Sequence, residues 1–134
     1  MRYSDGIFRR EEETLIMKSD RTKKSFEKAP HRALLKANGF TDEEIERPFV
    51  GVVNSANEII PGHIHLDIIT ADVKAGIRMA GGMPFEINVP GLCSVPHKEV
   101  TDMLYDQPQR EAVLAGAESS LFISWCDGWV GLGT

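Results

Sequence analysis

The chain lacks the features that would make several function classes easy to assign. It has no GxGxxG or GxxxxGK run, so neither common glycine-rich phosphate cradle is present. A generic Rossmann-like nucleotide binder is therefore ranked low. Only two of its 134 residues are cysteines, Cys93 and Cys126. They are not in CxxC spacing, which is poor support for a zinc site. With no secretion signal, a reducing compartment is expected and a disulfide is not. No apolar run approaches the roughly 20 residues that a membrane-spanning helix needs. The N-terminal stretch is too polar and charged for a signal peptide. A soluble, cytoplasmic protein without a membrane partner is the expectation. Positive charge is not in excess either: 15 Lys+Arg stand against 20 Asp+Glu, a net charge of −5. A nucleic-acid partner is not expected, because neutralising phosphates needs a basic stripe.

What is present is ordinary for one soluble domain with a small core: 42% hydrophobic and 26% charged residues. The charge runs Arg9 to Glu13 and Arg21 to Lys24 read as solvated helix faces. Ser19-Asp20 can cap a helix running through Phe26, which Pro30 ends. A second short helix is predicted over His31 to Ala37, with Leu34 and Leu35 inward and Gly39 as its stop. Thr41-Asp42-Glu43-Glu44 is a capping box.

Pro48 marks a change of regime. Phe49-Val50-Gly51-Val52-Val53 is short, apolar and rich in β-branched residues, as a strand buried on both faces is. Leu66 to Ala80 is the clearest helix. Its stripe is Leu66, Ile69, Val73, Ile77 and Ala80, and Gly81-Gly82 terminates it. Phe85, Ile87 and Val89 alternate as a strand. Pro108 suits the first turn of a helix reaching about Ser119. A last strand is placed near Trp129 to Leu132. Trp125 and Trp129, four residues apart, would face one side of it. The order is N-terminal helices, then βαβαβ, which predicts an α/β fold with a three-layer, Rossmann-like parallel sheet. We divide the chain into a helical segment, 1–47, and an α/β portion, 48–134.

Between Lys18 and Gly82 many residues resemble, in order and almost without gaps, the front of the dihydroxy-acid dehydratase and phosphogluconate dehydratase family. They include Ala29-Pro30-His31-Arg32-Ala33-Leu34-Leu35 and Arg47-Pro48-Phe49-Val50-Gly51-Val52-Val53-Asn54-Ser55. Asn57-Glu58-Ile59-Ile60-Pro61-Gly62-His63-Ile64-His65-Leu66 and Ala80-Gly81-Gly82-Met83-Pro84-Phe85-Glu86 complete them. The second half follows in register through Arg110-Glu111 and Asp127-Gly128. The resemblance implies a hydro-lyase that converts a 2,3-dihydroxy acid into a 2-keto acid. It implies an iron–sulfur cluster and Mg2+ as cofactors, a small-molecule dihydroxy or sugar acid as substrate, and a homo-oligomer. A metal centre is suited to this task because it stabilises charge on a departing hydroxide.

Carried over residue by residue, the match has gaps. Gly62 stands where many members have a cluster cysteine. Ser94 stands where the family has a metal-binding aspartate, and a hydroxyl is a weaker ligand for a hard cation than a carboxylate. The family's Cys-Asp-Lys motif would begin just past Thr134. Cys126 is read as a structural cysteine on the last strand rather than as that motif. The chain is thus expected to be an incomplete, inactive piece of such an enzyme. The alternative is a non-catalytic binding or interaction module on the same fold.

The remaining candidates each have two readings. His63 and His65 either face the site beside a helix N-terminus or pack and cap their loop; as an HxH pair without a third ligand they are weak evidence for zinc. Asn54, Ser55 and Asn57, after the first strand, either shape the site or satisfy loop backbone groups. Cys93 is either a cluster ligand of an unusual subfamily or a small buried residue. His97 reads as part of a solvated helix start.

Overall fold

Helices precede the sheet in the computed structural model, which describes residues 17–91, 100–123 and 125–133. The first helix, α1, is a single turn, Asp20–Lys23. It stops short of Phe26 because Lys24 turns extended and Ser25 takes a φ of 95°. A 3₁₀ turn, Phe26–Lys28, leads into α2, Ala29–Ala37. Pro30 therefore opens α2 instead of ending α1. A proline in the first turn forfeits no hydrogen bond, since that N–H has no intrahelical partner. Ser19 occupies the N-cap position of α1 without a side-chain capping bond. Leu34 was expected to face inward but is 68% exposed. The capping box forms as expected and starts α3, Asp42–Glu46: Glu44 N–H donates to Thr41 Oγ1, and Thr41 N–H donates to Glu44 Oε2.

The sheet has three parallel strands in the order β2-β1-β3: β1 is Phe49–Asn54, β2 is Met83–Asn88 and β3 is Gly128–Leu132. Helix α4, Leu66–Met79, joins β1 to β2, and α5, Val100–Ile123, joins β2 to β3. This is the expected βαβαβ order. Alternation along β1 shows the layers. Val50 lies near Ile77 of α4, with Gly82 between them, whereas Gly51 lies against Leu121 of α5. The two helices therefore cover opposite faces. Gly81, at φ +86°, and Gly82 close α4 through bonds from Gly81 N–H to Arg78 O and from Gly82 N–H to Ile77 O, a Schellman ending. A Cβ on Gly82 would sit 2.9 Å from Ile77 Cγ2.

Two helices differ from expectation in detail. The buried positions of α4 are Leu66 and Thr70, while Ile69 is 46% exposed. Thr70 tolerates burial because its hydroxyl donates to Leu66 O at 2.6 Å. Helix α5 starts before Pro108, which lies inside it. The core gathers on the strands: Phe49, Val52 and Met83 are almost fully buried, with Ile45 and Leu66 beside them. Phe85 meets both Phe40 and Phe49 edge-on, with ring centroids 5.2 and 4.8 Å apart.

Asp127 ties the helical segment to the sheet. One carboxylate oxygen accepts Ser19 N–H at 3.0 Å and the other accepts Phe49 N–H at 2.8 Å. Its own N–H donates to Phe49 O at 2.7 Å. Next to it, the buried Lys23 donates to Arg47 O at 2.7 Å, just past the end of α3, and sits 4.7 Å from the Phe49 ring centroid. Burial pushes the Asp127 carboxyl up, but bonds from Ser19 and Phe49 and the Lys23 charge outweigh it, so the net shift is downward. A depressed carboxylate contributes stability above its unfolded pKa, about 3.9, and loses it as pH falls through the folded value. Asp127→Asn should lower stability by about 1–3 kcal/mol at pH 7, because one backbone N–H then faces an amide NH2. The variant should also lose less further stability between pH 4 and pH 2 than the parent. Urea titrations at these pH values measure both effects.

Candidate functional site

The carboxyl ends of the three strands come together in a hydrogen-bonded cluster built on Ser55. From β1 the chain runs through α4 to β2 on one side, then through α5 to β3 on the other. The order thus reverses at β1, the place where open α/β sheets form their ligand crevice. Ser55 follows β1 directly. Its N–H and hydroxyl both donate to Leu132 O, at 3.2 and 2.9 Å, which joins the ends of β1 and β3. On the other side Val89 N–H donates to Asn54 O at 2.9 Å, which joins β1 to the end of β2.

His63 enters this cluster from the 3₁₀ turn Pro61–His63 and is 2% exposed. Its Nδ1 lies 2.8 Å from Ser55 O and 3.1 Å from Ser55 Oγ. A carbonyl only accepts, so Nδ1 carries the proton and donates. Asn57 Nδ2 donates to the same carbonyl at 2.9 Å. Asn57 Oδ1 meanwhile accepts Ile59 and Ile60 N–H at 3.0 and 2.9 Å, so the amide can face only one way. Gly91 presses on the group: a Cβ there would run into Asn57 Nδ2 and lie 2.6 Å from His63 Nδ1 and 2.9 Å from Ser55 O. On the α4 face, Asn54 caps Ala56 N–H through Oδ1 and donates to Glu86, which pairs with Lys74 at 2.8 Å. The Glu86 carboxyl is held below its usual value, chiefly by the bond from Lys74 and then by that from Asn54.

The expected site residues thus separate. Ser55, Asn57 and His63 converge, and Asn57 both shapes the cluster and satisfies loop backbone, whereas Asn54 turns its side chain to the α4 face, toward Ala56 N–H and Glu86. His65 does not join them. It is exposed at the N-cap of α4 without a side-chain capping bond, so the two histidines have different surroundings. Gly62 is exposed. Cys93, Ser94 and His97 lie outside the described residues. Cys126 is buried in the turn before β3 rather than on the strand, with its N–H bonded to Leu121 O at 3.2 Å. It precedes Leu132 by six residues, about 20 Å along an extended strand. Burial, and then the Asp127 charge, push its thiol up, which suits a structural cysteine. Trp125 is likewise off the strand, at a φ of 52°, with Arg21 over its ring at 5.2 Å. Trp129 is 64% exposed, so the two tryptophans do not share one strand face.

Beside the cluster, a cavity of about 400 Å3 opens between the sheet and α5. Val53, Val89, Val113 and Leu132 give it an apolar wall, and Ser55 and His63 border it. A second cavity, of about 420 Å3, lies beside Arg21, Trp125 and Cys126 toward the amino end of β3. Position at the strand ends favours the first as the ligand crevice. Gly91 and the bond from Ser55 to Leu132 were not singled out in the sequence.

The N-terminal profile of the dihydroxy-acid/6-phosphogluconate dehydratase family matches residues 47–134. The chain is 54% identical over 114 residues to a dihydroxy-acid dehydratase of Acetivibrio thermocellus, covering 85% of this chain and 21% of that one. A dihydroxy-acid dehydratase of Methanothrix thermoacetophila is 54% identical and one of Pyrococcus furiosus 53%, over the same shares. The chain belongs to the dihydroxy-acid/6-phosphogluconate dehydratase family. It spans about a fifth of the length of the curated relatives it matches.

The dehydratase resemblance implies an iron–sulfur cluster and Mg2+, and the described crevice residues do not fit either group. They offer amides, a hydroxyl, carbonyls, an imidazole and a single carboxylate, Glu118; a cluster needs thiolates, and one carboxylate without a second ligand gathered beside it is a poor Mg2+ site. Among the described residues no three His, Cys, Asp or Glu side chains gather as metal ligands. Gly91→Ala should destabilise the chain by about 1–3 kcal/mol, because the methyl meets backbone as well as side chains. Thermal unfolding of the variant measures this.

Proposed function

We propose that this chain forms one wall of the active site of a hydro-lyase that dehydrates 2,3-dihydroxy acids to 2-keto acids. The supporting observation is 54% identity to dihydroxy-acid dehydratases over a stretch that contains the Ser55 cluster. Its small-molecule substrate would be a branched-chain precursor or a sugar acid. The cluster and the Mg2+ would be held largely by polypeptide beyond the matched fifth. We expect the 134-residue chain alone to be colourless and inactive. Anaerobic reconstitution with iron and sulfide, followed by absorbance and a keto-acid assay, tests this. A brown protein that turns over dihydroxy acid would refute it.

Ser94, in place of a metal-binding aspartate, supports a second reading, a non-catalytic binding or interaction module on the same fold. Reading the gene past Thr134 separates the two: an in-frame Cys-Asp-Lys supports the enzyme, and a stop codon supports the module.

The outer edge of β3 is not paired within the described sheet, and Trp129 and Val130 on it are 64% and 38% exposed. An exposed apolar edge strand favours pairing with another chain. We expect the isolated chain to self-associate at micromolar concentration. A monodisperse monomer in light scattering would count against this.

A further inference from the structure

We propose that Asn38 is a modification site, where the side-chain amide is lost spontaneously, and that the end of α2 gates the reaction. The site does not depend on the dehydratase reading.

Asparagine is among the thermolabile residue types. Its amide is lost when the backbone nitrogen of the next residue attacks Cγ. That step forms an N–Cγ bond, breaks the Cγ–Nδ2 bond and moves the backbone proton onto Nδ2, which leaves as ammonia. Water then opens the five-membered succinimide at either carbonyl, giving aspartate or isoaspartate. Water is the only co-reactant, and nothing is oxidised or reduced. A following glycine leaves its nitrogen least hindered, because it has no Cβ. The asparagines of the chain are Asn38, Asn54, Asn57 and Asn88, and only Asn38 precedes a glycine. Asn38 and Gly39 are both exposed, and a Cβ on Gly39 would have nothing within 4 Å. Asn54 is instead buried with its amide donating to Glu86, and the Asn57 amide is held at both ends.

The folded backbone opposes the attack. Gly39, at φ +92°, ends α2 in a Schellman motif: its N–H donates to Lys36 O at 2.9 Å, and Phe40 N–H donates to Leu35 O at 3.3 Å. Asn38 has a ψ of 3°, so the Gly39 nitrogen lies beside the backbone nitrogen of Asn38 and away from its Cβ. Ring closure needs the Gly39 nitrogen turned toward Cβ, and that rotation breaks both bonds. The reaction therefore proceeds only from chains in which the end of α2 has opened, and its product records the opening. Aspartate there places a new carboxylate at the negative end of α2. Isoaspartate adds a methylene to the backbone just ahead of Phe40, whose ring meets Phe85 at 5.2 Å.

Peptide mapping by mass spectrometry in 18O-labelled water tests this on the full chain, folded and in urea. In urea, Asn38 should convert to labelled acid ahead of the other asparagines. In the folded chain it should do so at least about tenfold more slowly, because two hydrogen bonds must open first. Hydrogen exchange of the Gly39 and Phe40 amides should show the same protection within about threefold. Phe40→Ala loosens the motif without touching the Asn-Gly pair, so it should speed conversion in the folded chain and leave the rate in urea unchanged. Equal rates in the two states would overturn the gate. Faster conversion of Asn54, Asn57 or Asn88 in urea would overturn the site. Both rates are read on the parent chain, so the test stands even if Phe40→Ala does not fold.

Discussion

The central strand needs a parallel neighbour on each edge, and the rest of the described structure depends on that. β1 is too short and too apolar to leave its backbone groups unpaired in a core. β2 on one side and β3 on the other satisfy them, in register from Phe49 to Asn54 with β2 and from Val50 to Asn54 with β3. The two flanking strands can be reached only by crossovers on opposite faces, so α4 and α5 take their sides. The reversal at β1 then leaves a gap at the carboxyl ends, and the Ser55 group fills its floor. At the other end Asp127 seals the strand start. Both ends of β1 are thus closed by polar groups, at its start by Asp127 from distant sequence and at its end by Ser55, Asn57 and His63 from the loop that follows it.

Much of the fold was legible because it is written locally. The β-branched run after Pro48, the 3.6-residue pattern of α4 and its Gly81-Gly82 ending, and the capping box at Thr41 each carry their own signal. Failures came where a local rule met a tertiary contact. Pro30 looked like a stop and is a start, since the chain reverses at Ser25 first. Thr70 displaced Ile69 from the buried stripe because its hydroxyl found a carbonyl within its own helix. Helix α5 was begun too late, because Pro108 is a good first-turn residue and nothing local announced the turns ahead of it.

The site was legible as a region and not as a mechanism. Asn54, Ser55, Asn57 and His63 were marked by their place after a strand and by family resemblance. What separates His63 from His65 is burial and the orientation of a single ring. Neither can be read from an HxH spacing. Gly91 carried no signal in the sequence, because its role is to leave room for side chains that arrive from the β1 loop. Cys93 and Ser94, the candidates beside the metal position that the resemblance implies, fall outside the described segments.

The contact between Ser19 and Asp127 joins residues 108 positions apart. On a ribosome adding about 5–20 residues per second, the first partner is made roughly 5–20 s before the second. During that interval the opening helices have no sheet to dock on, and Lys23 has no finished pocket. Closing so long a loop is also entropically slow. The opening helices therefore gain this tether to the sheet only once β3 has left the ribosome.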